Sequence, residues 1–139
     1  MKKIIVPGSF SSLETIRQFY TTAAQQAGLT EDDIFELQVA VDEATANIID
    51  HAYGGENKGD IECCYEITPE GLKVELRDHG IPFKPKQVKA PDILRNPSAR
   101  KEGGLGMFFI HQMMDEVCFC SPDDGGNLLS MIKRKETTD

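Results

Sequence analysis

The stretch LKVELRDHGIPFKP, residues 72–85, indicates which side of a predicted strand faces the core and where that strand ends. Apolar and charged residues alternate from Leu72 to Arg77, which is the period-two pattern of a half-buried strand. One further step places Asp78 on the apolar face, immediately before a glycine and a proline that break the strand. Because burying a carboxylate is costly unless a donor meets it, the pattern indicates a specific partner for Asp78.

Composition and charge exclude several classes of function. The chain has 139 residues, of which 40% are apolar and 27% charged, as is typical of one soluble globular domain. Its 15 Lys and Arg against 23 Asp and Glu give a net charge of -8, so direct binding of nucleic acid is not expected. No apolar run reaches membrane-spanning length, and the opening apolar patch is too short for a signal peptide. We therefore expect a cytoplasmic protein without membrane attachment.

The four cysteines lie in two strand-like segments, at 63–64 and 118–120. Their spacing is not that of a zinc site or a redox pair, and cytosolic thiols stay reduced. Cys63 falls in phase with Ile61 and Ile67, so it is interpreted as a small apolar core residue.

The remaining patterns predict an α+β fold. Ser11 and Glu14 form a capping box, Gly28 closes the first helix, and Thr30 begins a second helix that runs to about Ala52. Other elements are predicted as strands at 2–7, 60–67, 72–78, 117–121 and 128–133 and a helix at 105–114. Because helices do not alternate with single strands, we expect a two-layer sandwich: a mostly antiparallel mixed sheet with three helices on one face. A single domain is predicted over residues 1–134, followed by a loose tail at 135–139.

The second helix carries a narrow polar stripe formed by Glu36, Glu43, Asn47 and Asp50. A solvated face is the ordinary alternative. However, the flanking residues are small or apolar, and asparagine is unusual in the middle of a helix. Glu43 and Asn47, one turn apart, suit a magnesium nucleotide, because an amide oxygen can complete a magnesium shell and a carboxylate can accept a proton.

Glycines open the third helix, at Gly103, Gly104 and Gly106. Glycines admit a bulky anion to a helix N-terminus, although a flexible joint is the alternative, and the pattern matches neither a Walker loop nor a dinucleotide fingerprint. The preceding loop holds six basic residues and one acid between Lys84 and Lys101. This local reversal of charge predicts a lid over phosphates at residues 84–102.

Together, these three motifs resemble the N-box and the two glycine boxes of the ATPase superfamily shared by gyrase, MutL and the histidine kinases. The resemblance implies the Bergerat-type ATP-binding fold, in which Asp78 accepts a hydrogen bond from the adenine amino group and Gly80 leaves room for the base. It further implies that Glu43 is the general base and Asn47 the Mg²⁺ ligand, while His51 is interpreted as a helix-end cap. The implied nucleotide-binding set is Asn47, Asp50, Asp78, Gly80, Arg100, Lys101, Gly103, Gly104, Leu105 and Gly106.

Within that superfamily, EATANIIDHAY, DHGIPFKP and EGGLGMFFIHQMMDEV are most similar to the anti-sigma-factor serine kinases of bacteria. A chain of this length has no room for a phospho-accepting hairpin or a transducer domain, so it is expected to act on a partner. The resemblance implies a homodimer that uses ATP and Mg²⁺, sequesters a sigma factor and phosphorylates a small anti-anti-sigma protein. The alternatives are a nucleotide-dependent binding switch without kinase activity and a plain ATP hydrolase.

Overall fold

The structure is a computed structural model and describes residues 1–82 and 104–136. The five strands are β1 (Lys2–Pro7), β2 (Asp60–Thr68), β3 (Gly71–Asp78), β4 (Glu116–Cys120) and β5 (Asn127–Arg134). The three α-helices are α1 (Leu13–Gln26), α2 (Glu31–Asn47) and α3 (Gly104–Met113). A 3-10 turn at Phe10–Ser12 precedes α1, and one π-helical turn at Ile48–Ala52 extends α2.

The strands form one sheet in the order β1-β2-β3-β5-β4. All four pairings between these described strands are antiparallel. A tight turn at 69–70 joins β2 to β3, and a longer loop at 121–126 joins β4 to β5. Short connections of this kind join antiparallel strands. The predicted α+β sandwich, with three helices and a mostly antiparallel sheet, is confirmed.

The core lies between the helices and one face of the sheet. Inward residues of β3 are buried as the alternation predicted, and Tyr20 of α1 donates its buried hydroxyl to Glu75 O at 2.7 Å. Cys63 is fully buried and confirms the interpretation as a core residue. Ile67 shares its phase but is 43% exposed, because it lies at the hairpin end of β2.

The start of α1 differs from the predicted capping box. Ser11 lies inside the 3-10 turn, and the residue that caps α1 is Ser12, whose side chain makes no cap hydrogen bond. Ser9 Oγ caps the 3-10 turn instead, accepting from Ser11 N at 3.3 Å. Ser12 Oγ donates to Pro7 O at 2.8 Å. The prediction failed because these serine side chains tie the turn to the end of β1.

The junction between α1 and α2 follows the predicted signals. Gly28 has a φ of 81°, and Leu29 N donates back to Ala24 O at 3.1 Å, which is the left-handed helix ending that glycine favours. Thr30 Oγ1 then accepts from Asp33 N at 3.1 Å and caps α2. Both predicted helix boundaries are confirmed.

The end of α2 was predicted only in part. The α-helix stops at Asn47, and Tyr53 N donates to Ile48 O at 2.9 Å across the π turn. The wider turn buries Ile49 and leaves Asp50 exposed. Single π turns within helices are frequent at functional sites, and this one forms a wall of the site described below.

Several predictions fall outside the described part of the chain. The predicted lid at 84–102 lies there, together with the last three residues of the predicted tail. The domain boundary at residue 134 stays a prediction. None of the helices in the described residues is long and apolar enough to span a membrane.

Candidate functional site

A narrow cleft, partly open to solvent, lies where the end of α2 faces the ends of β3, β4 and β5. Most of its wall is apolar, and its polar groups are a carboxylate and two amides. This is the usual composition of a pocket for a largely apolar ligand that needs orientation. The lining residues are Ala44, Asn47, Ile48, Ala52, Leu76, Asp78, Phe119, Asn127 and Leu129.

Asp78 points into this cleft from the end of β3, as its phase predicted. The residue is only 1% exposed. Gly80 N donates to Asp78 Oδ1 at 2.9 Å, and Asn127 Nδ2 donates to the same oxygen at 3.0 Å. Burial raises the pKa of the Asp78 carboxyl, and these two donors oppose the shift. Because both donors address Oδ1, Oδ2 is the oxygen placed to meet a ligand in the cleft.

Asn127 is a site residue that the sequence analysis missed. It is the register partner of Asp78 on β5 and also donates to Ile81 O at 3.0 Å. Its buried amide therefore holds the carboxylate and the turn that follows β3. The signal was present in the sequence, because Asn127 shares the inward phase of Leu129 and Met131 just as Asp78 shares that of Leu76.

Asn127→Leu keeps the volume of the side chain and removes both donors. We expect the free energy of unfolding to fall by about 1–3 kcal/mol, because a buried acceptor loses its partner. The pKa of Asp78 should rise further, so the loss should be greater at neutral than at acidic pH, where the carboxyl is protonated. Urea unfolding at both pH values measures this, with Ser130→Ala on the opposite face of β5 as control. An equal loss at both pH values would contradict a role in holding the ionised carboxylate.

The close approach of Ala52 leaves no room for a side chain at Gly80. A Cβ at this position would lie 2.3 Å from Ala52 O and 2.5 Å from Ala52 C. The turn after β3 therefore packs directly on the π turn, and Ile81 N donates to Ala52 O at 2.8 Å. The predicted role of Gly80, leaving room for a flat base, stays a prediction; the described contact is with the α2 extension.

Glu43 and Asn47 face the start of α3 at Gly106. A Cβ on Gly106 would lie 3.0 Å from Glu43 Oε2 and 3.3 Å from Asn47 Nδ2. Burial raises the pKa of the Glu43 carboxyl, and the charge of Asp42 raises it further. Arg17 of α1 holds Asp42 through a 2.7 Å contact between Nη2 and Oδ2. The structure thus brings the two predicted site residues of α2 together with the predicted glycine of α3.

The side-chain oxygens of Glu43 and Asn47 are of the kind that hard divalent cations prefer. Asn47 Nδ2 is buried and has no hydrogen-bond partner among the described residues. Mg²⁺ commonly takes one or two protein oxygens and completes its shell with waters and phosphates. Asn47 therefore fits as the protein ligand of a magnesium ion that is bound together with a nucleotide.

Gly106→Ala should separate stability from function. Alanine favours a helix by about 0.5–1 kcal/mol over glycine, so the free energy of unfolding should stay level or rise. The added Cβ would be in tight contact with the Glu43 carboxylate and the Asn47 amide, which would have to shift by a few tenths of an ångström. Nucleotide affinity should therefore fall by at least about fivefold, or roughly 1 kcal/mol. Calorimetric titration with ATP and thermal unfolding test the two halves. Unchanged affinity would show that the pair tolerates the extra methyl group.

The other predicted residues lie elsewhere. Glu36 is engaged away from the cleft, because its Oε2 accepts a hydrogen bond from the buried Lys133 Nζ at 2.7 Å. The polar stripe on α2 is therefore not a single functional surface. Asp50 is exposed in the π turn and is not among the residues that line the cleft; its nucleotide role stays a prediction. His51 is half-buried in the same turn.

The predicted residues around α3 are only partly described. Gly104 and Leu105 form the first turn of α3, and their roles stay predictions. Arg100, Lys101 and Gly103 lie outside the described residues.

An α+β sandwich with an inward carboxylate at a strand end, a cleft that this carboxylate shares with Asn47, and a Glu–Asn pair against a glycine of α3 defines a class of ATP-binding domain. The family model for the histidine kinase-like ATPase domain matches residues 6–133. The chain belongs to this family, and the resemblance inferred from its three motifs is confirmed.

Individual proteins of known name or structure are similar to this chain. The chain is 35% identical over 133 residues to the serine-protein kinase RsbW of Staphylococcus aureus strains MSSA476 and MRSA252, and the match covers 92% of this chain and 82% of each relative. The RsbU and RsbW domains of a Mycobacterium tuberculosis protein match with a TM-score of 0.61 at 13% identity, covering 100% of this chain and 35% of that chain. The histidine kinase domain of a blue-light activated kinase from Erythrobacter litoralis gives 0.51 at 18% identity, covering 72% of this chain and 43% of that chain. These two structures support the fold.

Proposed function

We propose that this chain is an ATP-dependent protein serine kinase that regulates transcription by acting on a protein partner. The observation that carries the proposal is the placement of Glu43 and Asn47 against Gly106, beside a cleft that ends at a buried carboxylate. Relatives 35% identical over 133 residues are named serine-protein kinases, which favours phosphate transfer to serine over simple hydrolysis.

The cleft would bind the adenine ring. The apolar walls at Ile48, Phe119 and Leu129 suit a flat base. At the closed end, Asp78 Oδ2 would accept a hydrogen bond from the exocyclic amino group, while Asn127 and the backbone hold Oδ1. A guanine presents a carbonyl oxygen at that position, and two acceptors would repel each other. The arrangement therefore favours adenine nucleotides.

The chemistry would take place at the opposite end of the site. When bound, a magnesium ion neutralises charge on the phosphates, and Asn47 would supply its protein oxygen. Glu43 would take the proton from the serine hydroxyl as the serine Oγ bonds to the γ-phosphorus and the bond to ADP breaks. A pKa raised by burial and by Asp42 makes Glu43 a stronger base than an ordinary carboxylate.

The partners follow from the family resemblance. We propose that the chain acts in the cytoplasm as a homodimer, that it sequesters a sigma factor, and that its substrate is a serine of a small anti-anti-sigma protein. Phosphorylation would prevent the antagonist from capturing the kinase, so that ATP supply decides which partner is held.

The direct test uses the full chain and a small protein that co-purifies with it. Incubation with Mg²⁺ and γ-labelled ATP should place label on a serine of that protein, identified by mass spectrometry. Label on phosphate alone would indicate an ATP hydrolase. ATP-dependent association without transfer would indicate a binding switch.

A further inference from the structure

Two thiols share the outer face of β4. Cys118 and Cys120 are both exposed, whereas Val117 and Phe119 between and beside them are half-buried and pack on the core. Alternation along a strand explains this arrangement, because residues two apart point to the same side. The segment Cys-Phe-Cys therefore presents two neighbouring thiols to solvent and one aromatic ring to the interior.

The other two cysteines are placed differently. Cys63 is fully buried, and burial raises the pKa of its thiol to about 12, which leaves it inert as a nucleophile. Cys64 is half-buried, and burial is the main cause that raises its pKa. Cys64 also lies three strands from β4, a distance of about 14 Å at the usual strand spacing. Of the four cysteines, Cys118 and Cys120 are the two that are exposed, and they lie on the same face of one strand, so they are the candidates to pair within one chain.

The backbone of β4 must deform for a disulfide to form. Residues two apart on a strand have Cα atoms about 6.6 Å apart, which is at the long end of the disulfide range. A bond between the two sulfurs would therefore shorten the strand at Phe119. The deformation is easiest in a strand such as β4, which has only five residues and is the last strand of the sheet.

Phe119 connects this deformation to the cleft. Its inward side chain lines the cleft together with Leu129, its register partner on β5, and Asn127. Asn127 in turn donates to the Asp78 carboxylate. A shift of Phe119 would alter the wall against which a bound base packs, without touching the carboxylate itself.

The spacing of these cysteines is not that of a common redox motif and the thiols are expected to be reduced at rest, but both lie exposed on one face of β4. We propose that Cys118 and Cys120 are a redox-responsive dithiol whose oxidation by hydrogen peroxide weakens nucleotide binding through Phe119. One thiolate attacks a peroxide oxygen, hydroxide leaves and a sulfenic acid forms. The second thiol then attacks the sulfenic sulfur and water leaves. The two thiols together lose two electrons and two protons, and the peroxide becomes two molecules of water. A strained disulfide of this kind is readily reduced, so the change is reversible. The effect on binding rests on the proposed ATP site; formation of the disulfide does not.

The test compares the full chain with Cys118→Ser, Cys120→Ser and the control Cys64→Ser, each treated with dilute hydrogen peroxide at low protein concentration. Intact mass under denaturing conditions, before and after dithiothreitol, reports an internal disulfide as the loss of two hydrogens. The parent and Cys64→Ser should form it, and neither of the other variants should. Titration of a fluorescent ATP analogue should show about tenfold weaker binding by the oxidised parent, equivalent to about 1.4 kcal/mol, with recovery after dithiothreitol.

Each outcome decides a separate part of the proposal. Oxygen adducts or intermolecular dimers in place of the internal disulfide would overturn the dithiol assignment. A disulfide that leaves nucleotide affinity unchanged would overturn the coupling through Phe119. If the reduced parent binds no ATP analogue, the proposed function fails, whereas the mass measurement still decides whether the thiols pair.

Discussion

Glu43→Gln is expected to lower the rate of phosphate transfer to serine by about 10²–10⁴-fold, the usual contribution of a general base. The substitution keeps the shape of the side chain and changes helix propensity little. ATP affinity should stay near that of the parent, because the change removes a proton acceptor and leaves the adenine end of the cleft intact. Single-turnover transfer of label to the partner, measured beside calorimetric titration with ATP, separates the two quantities.

Two further variants of α2 make this result specific. Asn47→Ala removes the proposed magnesium ligand and should weaken nucleotide binding, and with it every later step. Glu31→Gln makes the same chemical change as Glu43→Gln at an exposed position in the first turn of the helix, and it should retain parental activity. If Glu43→Gln transfers phosphate at the parental rate, Glu43 is not the base and the binding-switch alternative takes precedence.

The pH dependence of transfer gives an independent check on Glu43. A general base acts in its ionised form, so the rate should fall as pH falls through the pKa of Glu43. Burial and Asp42 raise that pKa, which moves the acidic limb of the profile toward neutrality. Glu43→Gln should abolish this limb as well as lowering the rate.

Asp78→Asn is expected to weaken ATP binding by about 10- to 100-fold, which is the cost of losing a charge-assisted hydrogen bond in a buried site. The new amide must present either an NH₂ group to the adenine amino group or an oxygen without charge. Asn127 and Gly80 can still donate to the remaining Oδ1. Calorimetric titration measures the affinity, and a value equal to that of the parent would rule out Asp78 as the adenine-reading residue.

The same variant should be at least as stable as the parent when no nucleotide is present. Burial raises the pKa of Asp78 in the folded chain, which means that folding disfavours the ionised form. The stability of the parent therefore declines as pH rises through that pKa, and Asp78→Asn lacks this decline. Thermal unfolding across pH tests the sign. A large loss of stability at neutral pH would show that the carboxylate serves the fold more than the ligand.

Local patterns in the sequence were sufficient to place Asp78 and most elements. Alternation over residues 72–77 identified β3 and its buried face, and the signals at Gly28 and Thr30 marked real helix boundaries. These signals depend on the preferences of a few adjacent residues and need no partner from a distant part of the chain. The capping box at Ser11 failed for the complementary reason: a neighbouring turn used the same side chains.

Contacts between residues that are distant in the sequence became known only from the tertiary structure. Asn127 meets Asp78 because β5 pairs with β3, and Glu36 belongs to an ion pair with Lys133 across the helix–sheet interface. Glu36 was predicted to belong to the polar stripe of α2, and no role was predicted for Asn127. Periodicity reports which side of an element a residue faces, and it carries no information about the element that lies opposite.

By itself, the sequence therefore determined the α+β class, the inward carboxylate of Asp78 and the pairing of Glu43 with Asn47 on one helix. Only the tertiary structure decided that Gly106 lies against that pair, that Gly80 packs on the π turn, and that Asn127 orients the carboxylate. The physical reason is the distance along the chain over which each interaction acts. Backbone propensity and side-chain alternation act over a few residues, whereas the cleft is formed by contacts between strand and helix ends that the order of the sheet brings together.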